Sequence, residues 1–543
     1  MRVFSNRCWS YILASALLQI FMFPVAGPLH PWSSALGWIA LTPLIAALLL
    51  PSRLGKPLTP FESAKVGYLV GVLWYLGSCY WIYQTMNLYG GLAIPVSVAI
   101  LVLFSCYLGL YHAAFGFAIG LIRRFFPNLA TTLAAAPFFW VAGELARGRI
   151  TGFPWNLLGY SEIDNLLLTR LAPIAGVTAI SFTLVAVGTM FVPVLLKRDR
   201  NRTVLAVCGL LVASALQFGG SVLSGKARKP APATESAVLL QEDLRVGVQK
   251  QNAPALSPAE ELNVFARWSE NPLHYQQDKH WHPGTMPEQA SVVVWPEAPS
   301  HLQSNDPAFR QSIARLAQST HGPVIAGSLG VDLDPIKPRG YSLYDSASLF
   351  SADGIYQSRY DKIHLVPWGE YIPYKQIFSF ASKLTEGVGD MDRGTRRTVF
   401  RADGRTFGVF ICYESIFGNE VRQFSDNGAE VLVNISDDGW YGDTSAPWQH
   451  LNMARMRAIE NHRWLLRSTN TGITAAIDPY GRVVLSAPRD VRAAFVFPFD
   501  FLSGKTFYTQ HGDWFAWLSV AVSATILGMG WLRHRALADN RLN

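Results

Sequence analysis

The chain is 543 residues long, 50% apolar and only 15% charged, with a formal net charge of +8. So small a charged fraction sets it apart from an ordinary soluble protein. The positive balance is not a nucleic-acid patch, because the Lys and Arg residues sit at the ends of apolar runs and not on one polar surface.

Runs without any Asp, Glu, Lys or Arg cover residues 8–52, 66–122, 125–143, 171–196, 203–225 and 514–532. A helix needs about 20 apolar residues to cross the hydrocarbon core. The two longest runs each have room for two crossings. Turn formers interrupt the first at Gly27, Pro28, Leu29, His30 and Pro31, and the second at Asn87, Leu88, Tyr89, Gly90 and Gly91. Eight spans are expected, seven before Lys226 and one after Asp513.

Orientation follows from the basic residues. Fourteen Lys and Arg, from Arg2 and Arg7 through Arg123 and Arg124 to Arg535 and Arg541, flank one side of these spans. The opposite short loops hold only Arg147, Arg149 and Arg170. Both termini are therefore expected in the cytoplasm. The first run reads as a signal anchor, since no small-residue cleavage site follows it. The organisation expected is a helical membrane domain over residues 1–225, an extracytoplasmic catalytic domain over 226–512, and a closing span with a cytoplasmic tail over 513–543. A basic Pro/Ala linker (KARKPAPAT, residues 226–234) opens the middle part.

Within that middle part, β-rich runs alternate with helical stretches. Strands are expected over residues 245–249, 291–295, 323–327, 342–350, 406–411, 430–435 and 472–477, and helices over 307–318 and 447–461. Runs such as VVVW and EVLVNI are apolar on both faces, the mark of a buried sheet covered by helices. AAIDPYGRVVL reads as a hairpin turning at Pro479, Tyr480 and Gly481. The class is α/β.

Three segments end strands with reactive side chains: Glu297 after Val294, Trp295 and Pro296; Lys362 after Tyr360 and Asp361; and Cys412 after Phe410 and Ile411. Loops that follow strands are where α/β domains build their sites. A carboxylate, an amine and a thiol placed there suit acyl transfer. Glu297 can take the thiol proton, Cys412 can attack a carbonyl carbon, and Lys362 with the N–H after the cysteine can hold the oxyanion. Of the five cysteines, Cys8, Cys79, Cys106 and Cys208 lie in or beside spans. Cys412 alone lies in the extracytoplasmic part, with no partner there for a disulfide. No spacing of cysteines resembles a metal site.

The order Glu, Lys, Cys in WPE, DKIHLVP and CYES contexts resembles the nitrilase (carbon–nitrogen hydrolase) superfamily. More narrowly, nearly the whole chain resembles the apolipoprotein N-acyltransferase family. The resemblance rests on GELARG (residues 143–148), GFPWN (152–156), LVPWGEYIP (365–373), ICYESIF (411–417), NISDDGWYGDTSAPWQHL (434–451) and RSTNTGITAAIDPYGRV (467–483). It implies an αββα sandwich carried by a bundle of about eight transmembrane helices in the bacterial inner membrane, with the catalytic domain in the periplasm. It implies a catalytic triad of Glu297, Lys362 and Cys412, supporting roles for Glu370, Tyr413 and Glu414, and a place for Trp440 at the mouth of the site. The implied reaction passes a fatty acyl chain from the sn-1 position of a phospholipid, through a thioester on Cys412, to the α-amine of a diacylated apolipoprotein. Ester to thioester to amide runs downhill, so no cofactor, nucleotide or metal is implied, and a monomer is expected. One departure from the family is Val248, Gln249, Lys250, Gln251, Asn252, where a glycine is usual in place of Lys250. The nearest tryptophan, Trp268, is not placed in the site.

Two other readings share parts of this pattern. A membrane-anchored amidase acting on small amides would use the same three residues but needs only one span. A transporter or lipid receptor with an inactive domain would not need them intact. Trp368, Tyr371, Ile372, Phe378 and Phe380 form either a lid dipping into the interface or ordinary loop packing. Glu144 and Arg147, at a span end, read as a structural ion pair.

Overall fold

The computed structural model describes residues 4–226, 233–247, 256–287, 290–297, 303–371 and 390–539. Most of the expected linker, the departure at 248–252 and the lid residues Ile372, Phe378 and Phe380 lie outside the described residues.

Among the described residues, four helices are long and apolar enough to cross a membrane: Ile94–Phe125, Leu129–Ile150, Arg200–Gly220 and Trp514–Leu537. A fifth crossing is formed if Pro60–Ser78 and Trp81–Tyr89, bent by 51° at their junction, act as one. The eight charge-free segments therefore do not become eight continuous helices. Residues 8–52 fold into Asn6–Phe21 and a broken stretch, Ser34–Gly37 and Thr42–Leu49. Residues 171–196 give the 13-residue Val177–Thr189 with a short helix on either side, Ala172–Ala175 and Val192–Leu196. Pro43, Gly176 and Pro193 stand at these interruptions, and a run free of charge is not thereby free of helix breakers. The expected break near residue 87 is present as a π-helical turn, Thr85–Tyr89.

Pro60–Ser78 and Ile94–Phe125 pack through glycines. A Cβ on Gly67 would collide with the His112 carbonyl, and one on Gly116 with the Ser63 carbonyl. Bare backbone on both helices is what permits this approach.

Two sheets make up the catalytic domain. The first has strands β1 (Glu235–Gln241), β2 (Leu273–Tyr275), β3 (Trp281–Pro283), β4 (Val292–Val294), β5 (Val324–Leu333), β6 (Tyr341–Phe350), β7 (Tyr356–Asp361) and β14 (Ala493–Phe499), in the order β3-β2-β14-β1-β4-β5-β6-β7. The second holds β8 (Val399–Ala402), β9 (Arg405–Ile411), β10 (Val431–Ser436), β11 (Leu465–Thr469), β12 (Ala475–Ile477) and β13 (Val483–Ser486), in the order β13-β12-β11-β10-β9-β8. The period-two alternation of strand side chains decides the layers. Ala237, Leu239, Val292 and Val294 point to the second sheet, where they meet Val409, Ile411, Val433 and Ile435. Their neighbours Val238, Leu240 and Val293 point outward, onto Phe265, Ile313 and Leu316 of helices Pro258–Glu270 and Pro307–Thr320. Val421, Phe424, Leu451 and Ala454, on helices Gly418–Asp426 and Ala446–Asn461, join the core of the second sheet. The order of layers is helix, sheet, sheet, helix.

The described part of one expected strand, Arg245, Val246 and Gly247, forms a loop, and β1 lies upstream of it. The hairpin at 475–486 is present as β12 and β13. Helix Ala446–Asn461 is buried on all sides, with Met453, Met456 and Ile459 packed among membrane-half residues and Ala454 and Ala458 in the catalytic core.

Gly67→Val and Gly116→Val are each expected to destabilise the detergent-solubilised protein by about 1–3 kcal/mol, the usual cost of overpacking. Gly143→Ala, where the added methyl meets nothing within 4 Å, should leave the melting temperature unchanged or slightly raised. Thermal unfolding of the three variants checks this.

Candidate active site

The site lies where the two sheets present their strand ends to each other. Glu297 follows β4, Lys362 follows β7 and Cys412 follows β9. The first two come from one sheet and the third from the other, so the site exists only when the sheets are packed.

Lys362 is fully buried, and its ammonium is surrounded by carboxylates. Nζ donates to Glu297 Oε1 at 2.7 Å, Asp345 Oδ2 at 2.9 Å and Glu370 Oε1 at 2.5 Å. Burying an unpaired charge is prohibitive, so this ring of acids is a condition of folding as much as of chemistry. The three carboxylates lie close enough together to hold a metal ion, but the cation they surround is Lys362 itself.

Asp345 has no counterpart in the sequence reading. It sits on β6 among small and apolar residues, a lone carboxylate in a strand that otherwise faces the core. The Lys362 N–H donates to the Asp345 carbonyl at 2.9 Å, so strand pairing itself brings the two side chains together.

The charges sort these acids. Burial alone would raise the Glu297 carboxyl, but the Lys362 charge, with hydrogen bonds from Asp345, Lys362 and the Asp437 N–H, holds it below the usual range. Burial, reinforced by the charges of Glu297 and Glu370, pushes Asp345 well above its ordinary value despite Lys362. Burial also raises Glu370. Burial by itself would lower Lys362, yet the charges of Asp345, Glu297 and Glu370 keep it well above normal. Glu297 is thus the ionised member of the ring, the form a general base needs. Its second oxygen accepts from the Asp437 N–H at 2.7 Å, which fixes the carboxylate plane.

Cys412 opens a 3-10 turn, Cys412–Ile416, with φ +47°. That left-handed backbone is uncommon outside glycine, and it turns the chain abruptly off the end of β9. The thiol is pushed well above its ordinary value, by burial and then by the Glu297 charge. At neutral pH it is a thiol and not a thiolate.

Glu414 does not face Lys362. Its oxygens accept from the Ile363 N–H at 2.7 Å, the His364 N–H at 3.1 Å, the Ile411 N–H at 2.8 Å and the Tyr360 hydroxyl at 2.8 Å. It ties the strand end that carries Cys412 to the segment that carries Lys362. Glu370 Oε2 accepts from the Val366 N–H at 3.1 Å, bending residues 366–370 back over the lysine.

Tyr413 donates its hydroxyl to the Gly152 carbonyl of the membrane half at 2.6 Å. A cavity of about 370 Å³ opens beside it, lined by Tyr413, Ile416, Phe417, His364 and Tyr371 from the catalytic domain and by Arg149, Gly152 and Leu157 from the membrane half. Trp440 is half-buried, near Gly247 and Tyr89, where the π-helical turn meets the catalytic domain; its carbonyl accepts from Thr85 Oγ1 at 3.0 Å. Trp268 packs on Phe265 in the outer helical layer, away from these residues. Trp368 and Tyr371 are half-buried, and Arg393 covers the Tyr371 ring at 4.7 Å.

Glu144 and Arg147 do not form the expected ion pair. Glu144 accepts from Trp140 Nε1 at 3.1 Å and the Leu158 N–H at 2.7 Å, while Arg147 donates to the Tyr75 hydroxyl and lies 5.4 Å from the Trp74 ring. Being on one helix, three residues apart, did not decide their partners; the loop after the helix did.

Because the Cys412 thiol is held up, its alkylation by iodoacetamide should keep accelerating above pH 9, beyond the range around 8.5 where an ordinary cysteine ionises. Glu297→Gln removes a charge that raises the thiol and should shift the profile to lower pH. Mass spectrometry of the Cys412 peptide measures both, and a wild-type plateau by pH 8 contradicts this reading.

The chain is similar to known proteins over both halves. The family profile described as apolipoprotein N-acyltransferase N-terminal domain matches residues 15–190, and the one described as carbon-nitrogen hydrolase matches residues 262–493. An apolipoprotein N-acyltransferase of Geobacter metallireducens is 30% identical, the match covering 96% of this chain and 95% of that one. One of Methylococcus capsulatus is 32% identical, with 95% and 96% covered. Among solved structures, Nit3 of Saccharomyces cerevisiae, from the nitrilase superfamily, is similar at a TM-score of 0.35 and 17% identity, over 50% of this chain and 93% of that one. Matched at this identity from end to end, and carrying apolar helices beside a nitrilase-like α/β domain, the chain is an acyltransferase and belongs to the apolipoprotein N-acyltransferase family.

Proposed function

We propose that the protein moves a fatty acyl chain from the sn-1 position of a phospholipid to the N-terminal α-amine of diacylglyceryl-cysteine in apolipoproteins, by ping-pong transfer through a thioester on Cys412. The observation that carries this reading is the meeting of an ionised Glu297, the Lys362 ammonium and the Cys412 turn at the facing sheet ends, directly against the membrane half. Glu297 takes the thiol proton as the Cys412 sulfur bonds to the ester carbonyl carbon. Lys362 and the Tyr413 N–H hold the resulting oxyanion, an interaction whose loss costs about 2.7–4 kcal/mol in comparable sites. Collapse breaks the ester C–O bond; the lyso-phospholipid oxygen takes the proton from Glu297 and leaves. The acceptor amine then attacks the thioester carbonyl, gives its proton to Glu297, and displaces the Cys412 sulfur, which is reprotonated. The product is an amide.

In this mechanism Glu297, Lys362 and Cys412 are catalytic. Glu370 shares the proton load with Glu297, the two titrating as one coupled group around Lys362. Glu414 and Tyr413 set the geometry of the nucleophile turn, and Trp440 stands at the mouth. The chain works as a monomer in the bacterial inner membrane, with residues 226–512 in the periplasm and both termini in the cytoplasm. The eight crossings of this reading combine the four long apolar helices with the bent pair Pro60–Ser78 and Trp81–Tyr89 and with shorter or broken helices. Two bilayer-held substrates supply the reason for so large a membrane half, where a small-amide hydrolase needs only an anchor.

Purified protein incubated with phospholipid should gain the mass of one fatty acyl group, removable by hydroxylamine and absent in Cys412→Ala. Adding a diacylated lipopeptide should discharge it into a triacylated product. Glu297→Gln should slow adduct formation by about 10²–10⁴-fold, the range of a lost general base. Absence of any adduct overturns the thioester route, and discharge to water at the same rate with or without lipopeptide favours hydrolysis.

A further inference from the structure

His450 has no part in the mechanism above, yet it lies directly under the nucleophile. It sits on helix Ala446–Asn461 and is fully buried. Its Nε2 is 3.0 Å from the Cys412 carbonyl oxygen and 2.6 Å from Ser415 Oγ. A carbonyl oxygen only accepts, so the form of the ring that carries a proton on Nε2 is the one that donates to it. The other ring nitrogen is 2.9 Å from Asp438 Oδ1 and 3.1 Å from Arg467 Nη2, and Arg467 also binds Asp438 Oδ2 at 2.6 Å. The imidazole is therefore held at both nitrogens, by the buried charges of Asp438 and Arg467 at one and by the neutral Cys412 carbonyl and Ser415 hydroxyl at the other.

Its face is held as well, and from the other half of the protein. Trp155, in the segment after helix Leu129–Ile150, lies nearly parallel to the ring, 5.7 Å between centroids at 19°. Trp155 Nε1 donates to Gln449 Oε1 at 2.7 Å, and Gln449 Nε2 reaches the Pro24 carbonyl at 2.9 Å. Trp155 of the membrane half is thus pinned by Gln449, itself anchored on the Pro24 carbonyl, the indole covers the imidazole, and the imidazole contacts the nucleophile's own carbonyl.

The carbonyl matters because of what is attached to it. The Cys412–Tyr413 peptide is planar and trans, so its C=O and N–H point in opposite directions. Any hydrogen bond that fixes the Cys412 C=O also fixes the direction of the Tyr413 N–H. That N–H lies in the first turn of its 3-10 helix, with no earlier helical carbonyl to bind. It is the main-chain donor to the oxyanion in the thioester mechanism, on which this inference rests. With Cys412 at φ +47°, the peptide needs such a restraint.

We propose that His450 is a positioning residue: by donating to the Cys412 carbonyl it aims the Tyr413 N–H at the oxyanion, and Trp155 of the membrane half holds the imidazole in that orientation. The oxyanion donor is then set across the junction between the two halves of the chain, and not by the catalytic domain alone.

Two rates on the full-length protein in phospholipid nanodiscs separate this from a general structural role. One is acylation of Cys412 by phospholipid, which passes through an oxyanion. The other is alkylation of Cys412 by iodoacetamide at fixed pH, a displacement at saturated carbon that forms none. His450→Leu should slow acylation by about 10²–10³-fold, the loss expected for one oxyanion donor, while alkylation changes by less than about threefold. His450→Gln, whose amide donates to the same carbonyl, should recover most of that loss. Trp155→Ala should lower acylation selectively too, and it carries the comparison if His450→Leu is not recovered folded. Parallel loss of both rates, an unaffected acylation rate, or a Gln variant as slow as the Leu variant overturns the proposal. A wild-type protein that never forms the acyl adduct is the separate failure, that of the thioester route itself.

Discussion

A single buried ammonium organises this protein. Lys362 has no access to water and meets three carboxylates from three different segments: the loop after β4, the middle of β6 and the bend at Glu370. Removing a partner from such a buried cluster costs about 3–5 kcal/mol, so each of those segments is tied to where the lysine sits. The same cluster sets the proton inventory of the site. One positive charge cannot ionise three neighbouring acids, and burial decides which gives way. Asp345 is driven toward its neutral form while Glu297, with a main-chain N–H on its other oxygen, stays charged. A base of defined charge beside the thiol is thus a by-product of how the lysine is solvated.

From that centre the restraints run outward in two directions. Glu414 uses both oxygens to gather three N–H groups and the Tyr360 hydroxyl, locking the turn at Cys412 to the segment after Lys362. The other direction is toward the membrane. Helix Ala446–Asn461 has no solvent-facing side: one flank belongs to the core beneath the second sheet and the other to the membrane half. Gln449 and Trp155 bond across that junction, as do Tyr413 and Gly152. Cys412 therefore sits within one turn of the place where the soluble fold meets the bundle. That place suits the proposed bilayer-held substrates, because a site on the far side of the sandwich would require each lipid to be extracted.

Much of this was legible in the chain. Cys412 and Glu297 each follow an apolar strand, and strands with both faces buried are read from their unbroken runs of Val, Ile and Leu, whereas Lys362 follows the polar β7. Asp345 was not legible, because its role depends on a register: only the pairing of β6 with β7 places it beside Lys362. The described part of the expected strand at 245–249, Arg245 to Gly247, imitates alternation but is spent as a loop, while the first strand, β1, is hidden between the linker and a polar stretch. The membrane half failed in a different way. Absence of charge locates apolar segments, but prolines and glycines inside them decide whether they are single helices, and three of the expected spans are short or broken. Glu144 and Arg147 were paired on spacing alone, yet an aromatic cluster and a loop N–H are nearer partners.

The raised thiol bears on why such a site would transfer an acyl group and not merely hydrolyse it. A thiolate standing ready in an oxidising compartment is the form most open to oxidation. In the proposed mechanism, burial and the Glu297 charge keep Cys412 protonated until a carbonyl is in place, so that proton removal and attack belong to the same event. The exclusion of water that raises the thiol also protects what forms on it. The proposed thioester, buried beside the Lys362 ammonium, would be slow to meet water, whereas an amine brought in by a lipid anchor would arrive at high effective concentration along the membrane-facing side, where Tyr413 and the Gly152 carbonyl close the junction. The same low-dielectric surroundings that make the cysteine a poor resting nucleophile thus favour the amine over water in the second half of the reaction.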